Sequence, residues 1–145
     1  MIVYFDASAL VKRYVAELNS PEVERLVGQA AVTGTNLISR AEISAAIARA
    51  ARVNWLSLAD AHKAIEAFRS QWTELIATQV TQALVARADA LAWEHGLRGY
   101  DAVHLASALL WQDALGEPVT LATYDGQLWD AAQKTGLAAW PETLE

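Results

Sequence analysis

The chain has 145 residues, of which 54% are hydrophobic, and it carries a formal net charge of −6 and no cysteine. This length and apolar fraction predict a single domain over residues 1–145 and exclude a disordered or low-complexity chain. The absence of cysteine excludes thiolate zinc sites and thiol nucleophiles, so Asp, Glu and His remain as the strong metal ligands, and oxygen ligands favour Mg²⁺ or Mn²⁺.

Charge and hydropathy also limit the partners and the location that we expect. The negative charge argues against a surface covered with nucleic-acid contacts, but it allows a local basic rim, because acids that converge on a cation inflate the net figure. No window approaches the ~18 apolar residues of a membrane span, and the N-terminus lacks the basic region of a signal peptide. We therefore expect a cytoplasmic protein with no membrane partner. Six tryptophans suggest an apolar face for an oligomer or a partner.

The first third of the chain alternates between strand and helix signals. The apolar run Ile2–Phe5 predicts a buried strand with Asp6 at its carboxyl end, the edge at which open α/β sheets bind ligands. Ser8 is placed to cap a helix that runs to about residue 17. A second helix is expected to begin at Asn19, with Pro21 in its first turn, and to end near residue 30, before a short strand at 32–35.

The middle of the chain predicts a helical hairpin. Ser39 and Glu42 have the spacing of a capping box ahead of an apolar stripe, which predicts a helix over about 40–53. Ser57 and Asp60 open a second amphipathic helix. Residues 74–77 are a weak strand candidate.

The last third repeats the pattern of the first. Thr81 begins a helix that Gly96 closes, and Asp101 opens an almost wholly apolar helix that ends near residue 114. A strand at 119–122 leads to Asp125, a helix covers about 127–134, and 137–140 is a candidate edge strand. Strands that alternate with helices predict an α/β fold with a mostly parallel sheet of about four or five strands, covered by helices on both faces.

Four acids occupy positions that such a fold brings together. Asp6 and Asp125 follow strands, whereas Glu42 and Asp101 are expected in the first turns of helices. Each acid also has a structural explanation: the helix dipole favours Asp101 and Glu42 by roughly 0.3–1 kcal/mol, and Asp6 and Asp125 can turn the chain out of a strand. Packing alone does not require an Asp at both strand ends, however. Four clustered carboxylates repel one another unless a cation binds among them, so the pattern favours a metal-dependent hydrolytic site.

Four segments, taken together, resemble PIN-domain nucleases, and among them the VapC-type toxins of bacterial toxin–antitoxin pairs. The matching segments follow the family's order and span nearly the whole chain: Val3–Leu10, Ser39–Glu42, Tyr100–Ala106 and Thr123–Leu128. The resemblance implies a PIN-like α/β/α sandwich.

The same resemblance implies an activity, a site and partners. It implies an endoribonuclease that uses Mg²⁺, with Mn²⁺ as a substitute, and that leaves 5′-phosphate and 3′-hydroxyl ends. The catalytic acids would be Asp6, Glu42, Asp101 and Asp125. Asp6 and Asp101 would bind the metal directly, and the other two would act through water. The partners would be an RNA substrate, a second copy in a homodimer and a small cognate antitoxin.

Several neighbouring residues are candidates for supporting roles. Ser8 and Thr123 are placed to orient the carboxylates through hydrogen bonds, although both are equally explained as a cap and a strand-end residue. His104 lies three residues after Asp101 and could reach the site, but a packed histidine with a hydrogen-bond partner is the expected role. Four basic residues near the acids in sequence are candidates for contacts with RNA phosphates or are solvated surface residues: Lys12, Arg13, Arg40 and Arg98.

Two other functions compete with an RNA-cleaving toxin. Another metal-dependent phosphoesterase could use the same acids, but its commonest form places a second Asp two residues after the first, and position 8 is Ser. A non-catalytic PIN-like module could bind a protein through its Trp-rich surface, although four intact acidic segments count against it. Neither a zinc-protease motif nor a phosphate-binding Gly-rich loop is present, and nucleophilic serine chemistry is not indicated.

Overall fold

A five-stranded sheet with helices on both faces forms the frame of the protein. The computed structural model describes residues 1–145. Short 3₁₀ segments cover Val11–Arg13 and Trp72–Glu74. The strands and α-helices are, in chain order, β1 (Ile2–Phe5), α1 (Ala7–Leu10), α2 (Ser20–Gln29), β2 (Val32–Asn36), α3 (Ile38–Arg52), α4 (Leu58–Gln71), β3 (Ile76–Thr78), α5 (Gln82–His95), α6 (Gly99–Leu115), β4 (Val119–Ala122), α7 (Gly126–Lys134) and β5 (Ala138–Trp140).

All strand pairs are parallel, and the order across the sheet is β3-β2-β1-β4-β5. The chain leaves β1 toward β2 on one side and returns to β4 on the other, so β1 and β4 meet at the switch point of the sheet. Ligands bind outside the carboxyl ends of the strands at such a point in open α/β sheets. Asp6 directly follows β1, and Thr123 directly follows β4, so both lie at this position.

The central strand β1 contributes to a hydrophobic core on each face of the sheet. Tyr4 packs into one core with side chains of α5, α6 and α7. Val3 and Phe5 point the other way and pack with side chains of the first four helices. This alternation gives the α/β/α sandwich that the sequence predicts, with both faces of a parallel sheet covered.

Two predicted helix caps are wrong. Ser8 does not cap α1, because Asp6 is the N-cap and accepts a hydrogen bond from the backbone N–H of Ala9. Ser39 does not form a capping box with Glu42, because α3 begins earlier, at Ile38, and the hydroxyl of Ser39 is buried 2.6 Å from that of Thr35.

This earlier start also moves Glu42 out of the first turn of α3. The backbone N–H of Ile38 donates instead to the side-chain Oδ1 of Asn36. Glu42 is therefore not used as a cap, and its carboxylate is free for another contact.

Other local expectations are confirmed. The side chains of Ser57 and Thr81 accept hydrogen bonds from the third residue of their helices, and Gly96 ends α5 in the left-handed conformation. β3 and β5 both exist as edge strands. α1 is shorter than expected, since the chain changes to a 3₁₀ turn at Val11. None of the helices has the length and apolar character needed to cross a bilayer.

Candidate active site

The four acids predicted from the sequence line one cleft at the carboxyl edge of the sheet. The cleft has a volume of about 230 Å³. It brings together residues from the end of β1 into α1, from α3, from the start of α6 and from the turn between β4 and α7. The lining residues are Asp6, Ala7, Ser8, Glu42, Arg98, Asp101, His104, Tyr124 and Asp125.

Asp6 is the most buried of the four acids, with 3% of its surface exposed. Its Oδ1 accepts hydrogen bonds from the Ser8 hydroxyl at 2.7 Å and from the N–H of Ala9 at 3.0 Å. Its Oδ2 accepts from the Thr123 hydroxyl at 2.6 Å. Ser8 and Thr123 each receive a backbone N–H in turn, from Tyr124 and Asp125 respectively. The turn after β4 is thereby tied to the carboxylate after β1.

Burial raises the pKa of Asp6 above its ordinary value. The hydrogen bonds from Thr123, Ser8 and Ala9 act in the opposite direction but are outweighed. A nearby cation would stabilise the ionised form of this buried carboxylate, which burial disfavours.

Asp101 and Asp125 are both hydrogen-bonded to the guanidinium of Arg98. The Arg98 Nε donates to Asp101 Oδ2 at 2.9 Å, and Nη2 donates to Asp125 Oδ2 at 2.8 Å. The Arg98 side chain is 73% exposed, whereas those of Asp101 and Asp125 are 12% and 23% exposed. Asp125 also caps α7 through its Oδ1, which accepts from the N–H of Leu128.

The Glu42 carboxylate is hydrogen-bonded to a buried histidine, His104. The Nε2 of His104 lies 2.8 Å from Glu42 Oε1, and its Nδ1 lies 2.7 Å from the hydroxyl of Tyr4. His104 is 1% exposed, so it is packed and hydrogen-bonded, as the sequence predicts. One of its partners is nevertheless an acid of the cleft. Tyr4 and this pairing were not identified from the sequence.

The side chains as placed do not surround a metal position. No three acidic or histidine side chains are arranged to hold a metal ion together. The carboxylates of Asp101 and Asp125 are hydrogen-bonded to Arg98, and the carboxylate of Glu42 is hydrogen-bonded to His104. The donor set still fits a hard divalent cation, because it consists of carboxylate oxygens and because the pair of Asp101 and Asp125 already accepts a cationic group.

Acids close to Asp125 in sequence lie outside the cleft. Asp113 is paired with Arg87 at 3.0 Å on another surface, and its side chain is 62% exposed. Asp130 is exposed on α7 and has no ion-pair partner. Asp125 is therefore the acid of this region that lines the cleft.

The basic residues proposed for the RNA rim lie in different surroundings. Lys12 pairs with Glu17 at 3.0 Å and lies over the ring of Tyr124, a residue of the cleft, at 4.6 Å from its centroid. Arg13 pairs with Glu24 at 3.1 Å. Arg40 lies over the ring of Trp72 at 5.9 Å and lines a separate depression next to the hairpin of α3 and α4. Among the four basic residues, Arg98 alone contacts the predicted acids.

Comparison with known proteins identifies near-full-length relatives. The chain is 36% identical over 148 aligned positions to Ribonuclease VapC45 of Mycobacterium tuberculosis strain CDC 1551, with 99% of this chain and 98% of that protein covered. Ribonuclease VapC49 of strain H37Rv matches with the same identity and coverage. No protein-family model matches the chain.

Solved structures with low sequence identity share the fold. A toxin–antitoxin complex from Klebsiella pneumoniae gives a TM-score of 0.62 at 18% identity, with 85% of this chain and 86% of that chain covered. PAE2754 from Pyrobaculum aerophilum gives 0.65 at 18% identity, with 96% and 83% covered. FitAcB from Neisseria gonorrhoeae gives 0.64 at 17% identity, with 95% and 96% covered.

Proposed function

The chain belongs to the VapC family of ribonucleases, and from this we propose that it is a divalent-metal-dependent endoribonuclease that acts as the toxin of a toxin–antitoxin pair. The observation that carries the proposal is the cleft in which Asp6, Glu42, Asp101 and Asp125 meet at the switch point of the sheet.

Asp6 and Asp101 are the residues that we expect to hold the metal directly. Asp6 is fixed by three hydrogen bonds, and Asp101 is fixed at the start of a long buried helix. Glu42 and Asp125 lie at the sides of the same cleft and would act through water. Mg²⁺ or Mn²⁺, when bound, polarises a phosphate and offsets the negative charge that develops on it.

Ser8 and Thr123 keep the Asp6 carboxylate in one orientation. Each hydroxyl donates to a different oxygen of Asp6 and accepts a backbone N–H itself, so neither hydroxyl is free to rotate. Loss of such a hydrogen bond to a ligating carboxylate typically lowers metal affinity or activity by about 10–100-fold.

Arg98 is the basic residue with the best access to RNA at the cleft. Its guanidinium is largely exposed and is held only by the two carboxylates. A divalent cation on Asp101 would compete with it. The released guanidinium could then pair with an RNA phosphate, for which its geometry is well suited.

The products follow from water acting as the nucleophile. Water attacks the phosphorus in line and gives up a proton to the solvent, the bond from phosphorus to the 3′ oxygen breaks, and this oxygen takes up a proton. The ends are then a 5′-phosphate and a 3′-hydroxyl. The buried histidine of the cleft has both ring nitrogens engaged with protein groups, which gives no support to cleavage through the RNA 2′-hydroxyl.

RNA cleavage by the purified protein tests the proposal. We expect cutting with Mg²⁺ or Mn²⁺, no cutting with EDTA, and no detectable cutting by Asp6→Asn or Asp101→Asn. Asp130→Asn is a matched control, because Asp130 is an exposed acid outside the cleft. Undiminished cutting in EDTA would contradict the metal dependence. Release of inorganic phosphate without shortening of the RNA would indicate the phosphoesterase alternative, and absence of both activities would indicate a non-catalytic binding module.

A groove between α3 and α4 is a suitable surface for the antitoxin. It has a volume of about 430 Å³, its floor is apolar, and Arg52 and Arg69 lie at its rim. A partner with an amphipathic, acidic helix would fit this combination. Coexpression with a candidate antitoxin should yield a complex that Ile65→Glu weakens and that a surface change elsewhere, Asp113→Asn, leaves intact.

A second apolar surface, on α5 and α6, is a suitable dimer face. Val85, Tyr100 and Val103 line a shallow apolar groove there. Exposed apolar side chains of this size commonly mark a partner surface. Light scattering should give the mass of a homodimer for the wild type and of a monomer for Val85→Glu; a monomeric wild type would contradict the dimer.

A further inference from the structure

His104 connects the hydrophobic core to the acidic cleft. It lies on α6, three residues after Asp101, and its imidazole is buried between β1 and α3. One ring nitrogen faces the hydroxyl of Tyr4, a core residue, at 2.7 Å. The other faces Glu42 Oε1, in the cleft, at 2.8 Å. Both distances are those of good hydrogen bonds.

The two partners determine which nitrogen of His104 carries the proton. Burial raises the pKa of Tyr4 well above its ordinary value, so the phenol keeps its proton and can donate it to Nδ1. Nε2 then carries the hydrogen and donates to Glu42, whose carboxylate can only accept. With the proton on Nε2, each ring nitrogen of His104 has a hydrogen-bond partner.

Glu42 depends on this hydrogen bond for its position. Its side chain is 29% exposed, and His104 is its only hydrogen-bond partner in the protein. By comparison, Asp6 has three donors and Asp125 has two. Without His104, the flexible side chain of Glu42 would sample several rotamers at the edge of the cleft.

We propose that His104 is a positioning residue of the active site, which holds the Glu42 carboxylate toward the cleft and is itself held in one tautomer by Tyr4. The inference rests on the proposed function, because it gives His104 a role only if Glu42 serves in catalysis. A histidine with only a packing role could be equally buried with a backbone carbonyl as its hydrogen-bond partner. Here the partner is an acid of the cleft, 62 positions away in sequence.

Two amide substitutions separate positioning from packing. In His104→Gln the side-chain amide nitrogen can reach the place of Nε2 and donate to Glu42. In His104→Asn the shorter side chain places its nitrogen near Nδ1, on the side of Tyr4, and the hydrogen bond to Glu42 is lost. Both variants lose the ring and should be destabilised to a similar extent. Tyr4→Phe removes only the hydroxyl that fixes the tautomer.

The measurements are kcat and KM for RNA cleavage and the Mn²⁺ dissociation constant from calorimetry. We expect His104→Asn to lower kcat by about 10–100-fold and to weaken Mn²⁺ binding, with KM for RNA little changed. The kcat of His104→Gln should stay within about fivefold of the wild type, because this variant keeps the hydrogen bond to Glu42 whose loss costs about 10–100-fold. Tyr4→Phe should lie between them.

A double variant tests whether His104 acts through Glu42. In a Glu42→Ala background, His104→Asn should cause no further loss of kcat, because the group that it positions is absent. Equal losses of kcat in His104→Gln and His104→Asn, or a further full loss of kcat in the Glu42→Ala background, would overturn the inference. The proposed function would still stand in either case, as long as the wild type cuts RNA. If the wild type itself neither binds Mn²⁺ nor cuts RNA, the proposed function fails and this inference fails with it.

Discussion

Thr123 allows the hydrogen bonds around Asp6 to be tested one atom at a time. Its buried hydroxyl donates to Asp6 Oδ2 at 2.6 Å and accepts the backbone N–H of Asp125 at 3.0 Å. Thr123→Val keeps the shape of the side chain and removes both contacts, whereas Thr123→Ser keeps the hydroxyl and removes a methyl group.

The expected cost of Thr123→Val follows from these two contacts. A hydrogen bond to a charged group contributes about 1.5–3 kcal/mol and a neutral one about 0.5–1.5 kcal/mol, so the free energy of unfolding should fall by about 2–4 kcal/mol. For a chain of this size that is a decrease in Tm of roughly 6–12 °C. Thr123→Ser should cost about 1 kcal/mol, the contribution of one buried methyl group.

Urea unfolding and RNA cleavage are the assays for these variants. Cleavage by Thr123→Val should fall by about 10–100-fold, and cleavage by Thr123→Ser should stay within a few-fold of the wild type. Thr120→Val is the matched control, since Thr120 lies on β4 without a side-chain hydrogen bond. Two results would contradict this role of the Thr123 hydroxyl: a Val variant as stable and active as the control, or a Ser variant as impaired as the Val variant.

Three further changes have distinct expected results. Arg98→Gln should lower the Mn²⁺ dissociation constant in calorimetry, because it removes a competing cation, and Arg87→Gln should not; unchanged binding in both would argue against the competition. Burial raises the pKa of Asp6, so the folded chain holds that proton more tightly than the unfolded chain, and stability is lost as the pH rises from the ordinary Asp value of about 3.9 through the raised one. The Tm of metal-free Asp6→Asn relative to the wild type should therefore increase as the pH rises above about 4, and a constant difference would count against the effect of burial. Gly34→Ala should destabilise the fold by about 1–3 kcal/mol in urea unfolding, because its methyl group would overlap the Trp111 ring; a neutral result would contradict this close approach.

The positions of the acids after strands could be predicted because they follow from local pattern and from a general rule of parallel sheets. Apolar runs identify β1 and β4, and the carboxyl ends of parallel strands meet at one edge, so Asp6 and Asp125 were expected together. The apolar helix that begins near Asp101 was also visible in the sequence. These features depend on neighbours within a few residues.

The details that were missed depend on which of several competing partners each polar group takes. The capping box at Ser39 failed because Thr35 offers its hydroxyl a buried partner, and Asn36 satisfies the helix start instead. Ser8 is not a cap because the preceding acid takes that role while also serving the cleft. Nothing local to Glu42 indicates its pairing with His104, since competing partners exist only after the helices have packed.

Whether the four acids form one metal site that cuts RNA is tested by the cleavage rate as a function of Mn²⁺ concentration. The wild type and Asp130→Asn should show the same saturable dependence on Mn²⁺, and Asp101→Asn should show neither cleavage nor Mn²⁺ binding in parallel calorimetry. Mn²⁺-dependent cleavage by Asp101→Asn at the wild-type rate would show that Asp101 is not part of the metal site.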